Sequence, residues 1–160
     1  MLDLVATEAS IALVMASRQA LDALAPAGAF RCRVAPDEAM FIREPGAAEA
    51  LVRDAGSVRA GDPDAVVLDS TDGWAVWTLA GDGARDAFAR LSSMRLAERY
   101  QQGEVANIPV RVVAEGGRVH MFVPVMWREY LRRQVLDRCK NLGVAETAGS
   151  SPWTAAGGGA

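Results

Sequence analysis

The sequence has 160 residues, of which 51% are hydrophobic and 23% are charged. This apolar content is ample for a packed core and excludes an intrinsically disordered chain. The formal net charge is −3, and no basic patch stands out, which argues against nucleic acid as the main partner.

The N-terminal part of the chain shows no export or membrane signal. Asp3 and Glu8 stand where a signal peptide would carry basic residues. The longest apolar run in this part, Ile11–Ala16, is far too short to span a membrane. Cys32 and Cys139 are far apart and indicate buried thiols rather than a disulfide framework. We therefore expect a soluble cytoplasmic protein that does not bind a membrane.

The first third of the chain predicts short alternating elements, after a weakly patterned segment at residues 1–10. Ile11–Ala16 fits a buried strand, with Ser17 opening a short helix. Residues 10–24 also fit one continuous helix, and we favour the strand followed by the helix. Three further elements are predicted: a strand at Phe30–Val34, a strand at Ala39–Arg43, and a helix at Ala47–Ala55 that ends at Gly56.

The middle of the chain has the clearest local pattern. An apolar run at Ala65–Leu68 predicts a buried strand, and the turn-forming residues Asp69–Gly73 follow it. Trp74–Leu79 predicts a second strand, and we expect cover on both of its faces because both are largely apolar. The spacing of apolar residues then predicts a helix at Ala84–Leu91, with Asp82 as its N-cap.

The last third predicts a β-hairpin and a long helix. Two β-rich runs, Val105–Ala114 and Val119–Val123, flank Gly116-Gly117, and Pro109 should lie at an edge or a bulge. Between the preceding helix and this hairpin we expect a linker. The helix at Met126–Lys140 is predicted to bury one face, formed by Trp127, Leu131 and Val135.

Residues 1–146 are predicted to form a single domain of the α+β class, with helices packed on a mainly antiparallel sheet. Residues 147–160 are small, polar and glycine-rich, so we expect a flexible tail. Trp153 is the exception in this tail. An isolated tryptophan of this kind is either inert or a docking anchor for a partner, since interfaces favour tryptophan.

The sequence offers no motif for catalysis, cofactor binding or metal binding, and we predict no such residue in this chain. His120 is the only histidine, and its place in a predicted strand indicates a half-exposed structural residue. Gly81-Asp82-Gly83 lies between a strand and a helix but lacks the third glycine of a phosphate-binding turn.

A candidate partner interface is the alternative to a catalytic site. Asp69 and Asp72 can bind a cationic group or a partner's arginines, although we favour capping of backbone N–H groups in their turn. Trp74 and Trp77 point to opposite faces of their strand, so a one-sided helix layer leaves one for a partner. With Trp153, these residues form the predicted interface.

One stretch carries a resemblance to a known family. Asp69–Trp74, followed by a strand, Gly81 and a helix that ends in Arg90-Leu91, resembles the gamma subunit of heterotetrameric sarcosine oxidase. The resemblance extends over roughly residues 35–142, and that family is itself similar to the first part of the glycine-cleavage aminomethyltransferases. It implies ferredoxin-like paired units, as in the first domain of the aminomethyltransferase fold.

The resemblance also implies a function. A gamma-like chain is a non-catalytic subunit that packs on the folate-binding part of a large alpha-like subunit, beside beta- and delta-like subunits. Those partners are expected to carry FAD, FMN, NAD, tetrahydrofolate and zinc, and this chain none of them. The complex would oxidise sarcosine or a related N-methyl amine. A free-standing folate-dependent methylene or methyl transferase fragment and a stand-alone binding module are the alternatives.

Overall fold

The structure is a computed structural model that describes residues 1–97 and 99–154. Its strands are β1 (Leu2–Glu8), β2 (Ser10–Met15), β3 (Phe30–Ala35), β4 (Glu38–Arg43), β5 (Val66–Asp69), β6 (Trp74–Ala80), β7 (Arg99–Val105), β8 (Ile108–Glu115), β9 (Arg118–Pro124) and β10 (Val144–Pro152). Its helices are α1 (Arg18–Ala23), α2 (Ala48–Ala55), α3 (Ala84–Leu91) and α4 (Arg128–Arg138). The chain forms two compact units: a first unit of residues 1–8 and 73–151, and a second unit of residues 9–72 and 152–154, with residue 98 outside the described part.

The first unit is built on a six-stranded sheet with the order β10-β1-β6-β9-β8-β7. The β1–β6, β6–β9, β8–β9 and β7–β8 pairs are antiparallel. Helices α3 and α4 contact each other and strands β6 and β9. Their apolar residues join one side of the sheet in a core that includes Leu79, Phe88, Met121, Leu131 and Val135.

The second unit is built on a four-stranded sheet with the order β3-β4-β2-β5. All three pairs of neighbouring strands are antiparallel. Helices α1 and α2 supply Leu21 and Leu51 to a core that also contains Val14 and Phe41 from the sheet. The predicted α+β class with mainly antiparallel sheets is therefore confirmed.

The strand-then-helix interpretation of residues 10–24 is confirmed by β2 and α1. Ser17 is the N-cap of α1, and its hydroxyl accepts a hydrogen bond from the Ala20 N–H at 3.3 Å. The predicted glycine hairpin is also present, since Glu115 pairs with Arg118 across Gly116-Gly117. Pro109 is exposed and lies outside the β8–β9 register, where its missing N–H breaks no bond of that ladder.

Three strands were missed by the sequence analysis: β1, β7 and β10. The weakly patterned N-terminal segment contains β1, and the second part of the expected linker after α3, from Arg99 onward, belongs to β7. β7 reads Arg-Tyr-Gln-Gln-Gly-Glu-Val, which is polar and shows no strand alternation. Pairing with β8 over its whole length, from Arg99↔Ala114 to Val105↔Ile108, makes this segment a strand.

Several local predictions are wrong. The strand predicted as buried at Ala65–Leu68 is largely exposed, since Val66 and Leu68 of β5 are 43% and 46% exposed. The N-cap of α3 is Gly83 rather than Asp82, because the backbone turns there with φ at 92°, a conformation that favours glycine. Trp127 is 38% exposed rather than buried, because α4 begins only at Arg128 and a 3₁₀ turn covers Val125–Trp127. The flexible tail predicted from Thr147 is also wrong, because Thr147–Pro152 is part of strand β10. Residues 155–160 of that predicted tail lie outside the described residues.

Both faces of β6 are covered, as the sequence predicted. Trp77 and Leu79 belong to the core beneath α3 and α4, while Val76 and Thr78, which point the other way, are 6% and 3% exposed. Within the described residues, every helix is too short or too polar to cross a membrane.

Candidate functional site

The two predicted acidic residues lie in the second unit, where β5 ends. Asp69 is the last residue of β5 and Asp72 belongs to the 3₁₀ turn Thr71–Gly73; both are exposed. The Asp69 carboxylate accepts a hydrogen bond from the Thr71 N–H at 3.0 Å. Asp69 therefore caps its own turn, as expected, whereas no such bond to Asp72 is seen among the described residues.

The two strand tryptophans lie in the first unit and differ in exposure. Trp77 is 4% exposed, and its indole Nε1 donates a hydrogen bond to the backbone carbonyl of Arg128 at 3.0 Å. Trp74 is half-buried, and the guanidinium carbon of Arg111 lies 4.4 Å from the centre of its ring. Trp74 is the more accessible of the two rings, with Arg111 in cation–π contact with it.

Trp153 is buried within the second unit rather than exposed. Its side chain is 2% exposed and meets Phe30 edge to face, with the ring centres 5.9 Å apart. The sequence analysis missed this contact, because the residues around Trp153 are small and polar and Phe30 is distant in sequence. In the folded chain the indole is buried in contact with Phe30.

An exposed apolar turn in the first unit was not predicted as interface. Val125, Met126 and Trp127 are 49%, 78% and 38% exposed, and we call them the apolar turn. Trp127 rests edge to face on Tyr130, with 5.7 Å between ring centres, and the Tyr130 hydroxyl donates to the Ala106 carbonyl at 2.8 Å. Three consecutive apolar residues after Pro124 were the available signal, and we assigned Met126 and Trp127 to the helix instead.

A shallow open groove of about 600 Å³ lies beside Trp77 in the first unit. Its lining consists of Ala6, Glu8, Trp77, Arg128 and residues 146–150. Two of its carboxylates are already engaged: Glu8 accepts from the Ser150 hydroxyl at 2.7 Å, and Glu146 accepts from Arg132 at 2.8 Å. The Arg132 hydrogen bond lowers the pKa of Glu146, so this carboxylate is charged and is not a proton donor near neutral pH.

His120 is buried, which corrects the expectation of a half-exposed residue. It is 3% exposed, because its neighbours on β6 and β8 belong to the middle of the six-stranded sheet. Its Nδ1 lies 2.8 Å from the Thr78 hydroxyl, which lies 2.6 Å from the Thr7 hydroxyl. Burial, aided by the charge of Arg118, lowers the pKa of His120 to about 4, so the ring is neutral near neutral pH.

The described residues contain no group of three or more His, Cys, Asp or Glu side chains that could hold a metal ion. The chemistry that the side chains do offer is that of recognition. The first unit presents aromatic rings, arginines and an exposed methionine on β6 and around the start of α4. Such residues are enriched at the centres of protein interfaces.

Comparison with known proteins identifies the fold. No family model matches the sequence, and no curated protein matches it. Among solved structures, the chain has the α+β fold of subunits of sarcosine oxidase and of aminomethyltransferase. At the sequence identities found, this likeness establishes the fold alone.

Three solved structures illustrate the likeness. A chain of the heterotetrameric sarcosine oxidase from Corynebacterium sp. U-96 superposes with a TM-score of 0.77 at 20% identity, covering 92% of this chain and 88% of that one. The glycine cleavage aminomethyltransferase T from Bartonella henselae gives a TM-score of 0.71 at 13% identity, covering 91% of this chain and 47% of that one. Aspartate kinase from Synechocystis gives 0.50 at 13% identity, over 94% of this chain and 28% of that one.

Proposed function

We propose that this chain is a non-catalytic, gamma-like subunit of a hetero-oligomeric flavin-dependent oxidase or dehydrogenase that acts on sarcosine or a related N-methyl amine. The observation that carries the proposal is the near end-to-end match with one chain of a heterotetrameric sarcosine oxidase, over 92% of this chain and 88% of that one. A match of this extent is what a subunit of the same size and fold would give.

The alternative of a free-standing folate-dependent transferase is less well supported. This chain spans about half the length of the aminomethyltransferase T that it matches, since 47% of that protein is covered. A folate site assembled from several domains would then lack the other half. We therefore prefer the subunit over the transferase fragment and over a stand-alone binding module.

The partner that we propose is a large alpha-like subunit with a folate-binding part, accompanied by beta- and delta-like subunits. FAD, FMN, NAD, tetrahydrofolate and zinc would reside on these partners. On the first unit, the proposed contact surface is the apolar turn together with Trp74, because Met126 alone is 78% exposed and Trp74 is half-buried. The cytoplasm is the location that we propose, since Cys32 and Cys139 are both buried thiols.

Co-expression tests this proposal. The tagged full chain is produced alone and together with any large flavoprotein subunit that a neighbouring gene encodes. Alone, the chain should be colourless, inactive on sarcosine and prone to self-association. With its partner, it should elute as one complex that has flavin absorbance and oxidises sarcosine or a related N-methyl amine.

A pair of variants links the complex to the proposed surface. Met126→Glu places a charge in the apolar turn and should reduce recovery of the complex at least about tenfold, because an unpaired charge in an apolar interface costs well over 1.4 kcal/mol. Lys140→Glu adds a carboxylate at another exposed position and should leave recovery unchanged. A monomeric chain that binds none of its genomic neighbours would refute the subunit proposal, and folate retained by the chain alone would favour the transferase.

A further inference from the structure

Three of the four sheet-edge strands carry features that block pairing with another strand. β3 has exposed or half-exposed arginines at Arg31 and Arg33 and a shift in register after Arg33. β7 begins at Arg99, whose φ is 69°, and β10 is interrupted by Gly149, whose φ is 82°. Charged side chains, bulges and kinks of this kind are how proteins protect the open edges of sheets.

The fourth edge strand, β5, has no arginine, register shift or positive-φ residue, and its one charged residue is Asp69 at its end. It reads Val-Val-Leu-Asp and lies at the end of the four-stranded sheet, beside β2. Val66 and Leu68, which point to the same face, are 43% and 46% exposed. An apolar edge strand left open in this way is either an aggregation hazard or a place where a strand adds.

The exposed residues of β5 continue onto its neighbour. Met15 of β2 pairs with Val66 and is 41% exposed, and the half-buried Leu13 pairs with Leu68. We call Leu13, Met15, Val66 and Leu68 the β5 patch. The opposite face of the same two strands packs on the helices of the second unit through Val14 and Val67, so the β5 patch is the side of this edge that an added strand could cover.

Two residues of β5 direct their backbone N–H and C=O groups towards the open edge. The Ser70 N–H donates to the Ile11 carbonyl at 2.9 Å, so Ser70 belongs to the set of alternate residues that bond to β2. Residues of an antiparallel strand alternate in this respect, and Leu68 and Val66 therefore bond inward as well. The N–H and C=O groups of Val67 and Asp69 then point outward, as the groups of a strand that can accept a neighbour.

The charges beside β5 specify the neighbour. Asp64 precedes the strand, Asp69 is its last residue and Asp72 follows it. All three are exposed, and none of these carboxylates forms an ion pair with a described residue. A second copy of β5 in antiparallel pairing would bring the Asp64 end of one copy against the Asp69 end of the other, which like-charge repulsion opposes. A strand with basic ends has the complementary charge.

We propose that the open edge of β5 binds an extended segment of another protein by strand addition. That segment carries apolar residues at alternate positions, which cover the β5 patch, and arginine or lysine at both ends, which pair with Asp64, Asp69 and Asp72. Its backbone bonds to Val67 and Asp69, and recognition of this kind combines main-chain hydrogen bonds with side-chain pockets. The inference rests on the second unit alone and is independent of which enzyme complex the chain joins.

A pair of synthetic peptides tests the proposal on the full-length chain. In both, valine alternates with threonine; one has terminal arginines and the other has terminal glutamates, with all chain ends blocked. The arginine peptide should bind saturably and slow hydrogen exchange at the Val67 and Asp69 amides, measured by NMR. The glutamate peptide should bind at least about tenfold more weakly, which corresponds to about 1.4 kcal/mol.

Variants assign the binding to β5. Asp69→Asn with Asp72→Asn keeps an oxygen that can cap the Thr71 N–H but should reduce the preference for the arginine peptide, since only Asp64 keeps its charge. The matched control, Asp82→Asn with Asp86→Asn, removes the same charge from exposed positions of the first unit and should retain it. Leu68→Thr should weaken both peptides, and circular dichroism verifies its fold.

Three results would overturn the proposal. The first is equal binding of the two peptides, and the second is protection of amides away from Val67 and Asp69. The third is concentration-dependent dimerisation that Leu68→Thr abolishes, because it would assign the β5 patch to a second copy of this chain. Failure to assemble with a flavoprotein would leave these measurements unaffected, so the two proposals fail separately.

Discussion

The indole of Trp77 and the backbone carbonyl of Arg128 are joined by a hydrogen bond of 3.0 Å. The bond connects the middle of β6 with the first residue of α4, across 51 positions of sequence. It gives the one polar atom of a ring that is 4% exposed a partner, and it leaves the remainder of the indole to pack in the core. A buried tryptophan therefore fixes the start of the helix that follows the apolar turn.

Replacing Trp77 by phenylalanine should destabilise the chain by about 2–4 kcal/mol. The variant loses the hydrogen bond to Arg128 and leaves a cavity where the larger ring was. Trp74→Phe is the matched control and should cost less than about 1 kcal/mol, because Trp74 is only half-buried. Urea unfolding followed by circular dichroism measures both, and equal losses would contradict the role of the Trp77 bond.

Leu131→Ala should cost about 2–5 kcal/mol, the range for a buried leucine whose site does not collapse. Leu131 is fully buried in α4 and belongs to the core of the first unit. Leu136→Ala removes the same atoms from the same helix at a partly buried position and should cost about half as much or less. A loss below half a kilocalorie for Leu131→Ala, by the same unfolding assay, would mean that α4 does not pack as described.

Local patterns identified the elements whose own residues decide their conformation. The helix predicted at Ala84–Leu91 has those same bounds in α3, because its buried residues recur at helical spacing and Gly83 supplies the left-handed turn before it. The Gly116-Gly117 turn likewise defines its hairpin, with φ values of 50° and 77° at the two glycines.

Local patterns did not predict the elements whose conformation depends on residues distant in sequence. β10 is mostly exposed and consists of small polar residues, and its strand conformation depends on its place beside β1 in the sheet. For the candidate interface, the pattern placed Trp74 and Trp77 on opposite faces but could not say which ring a helix covers. Exposure at Met126 depends on where α4 begins, which sequence patterns locate only to within a few residues.

Gly81→Ala should be destabilising well beyond the usual cost of a positive φ. Gly81 has φ at 103°, and a Cβ built on it would lie 2.1 Å from the carbonyl oxygen of Met1, a backbone atom. Gly83→Ala is the matched control, since Gly83 has φ at 92° but no atom within 4 Å of such a Cβ. We expect Gly81→Ala to cost about 1–3 kcal/mol more than Gly83→Ala in thermal or urea unfolding, because the start of β1 must move. Similar losses of unfolding free energy in the two variants would show that the start of β1 moves without destabilising the chain.

Acid should destabilise the chain through its single histidine. The pKa of His120 is lowered from 6.5 to about 4 in the folded state, mainly by burial and further by Arg118. Above pH 6.5 the ring is neutral in both states, and its contribution to stability is fully present. As the pH falls from 6.5 towards 4, the unfolded chain binds a proton that the folded chain does not, so stability is lost across this window. The total loss is about 3 kcal/mol, since one pKa unit corresponds to about 1.4 kcal/mol.

Two measurements check the His120 prediction. NMR titration gives the folded-state pKa from the only imidazole in the protein, without an assignment problem. Urea unfolding between pH 7 and pH 4 is then compared with that of His120→Gln, whose amide can still bond to the Thr78 hydroxyl but does not titrate. The carboxylates are common to both proteins, so the difference between the two pH profiles isolates the histidine. Arg118→Gln should raise the His120 pKa and narrow the pH range over which the histidine destabilises the folded chain. Parallel profiles for the wild-type chain and His120→Gln, or a measured pKa near 6.5, would show that the ring can be protonated without loss of the fold.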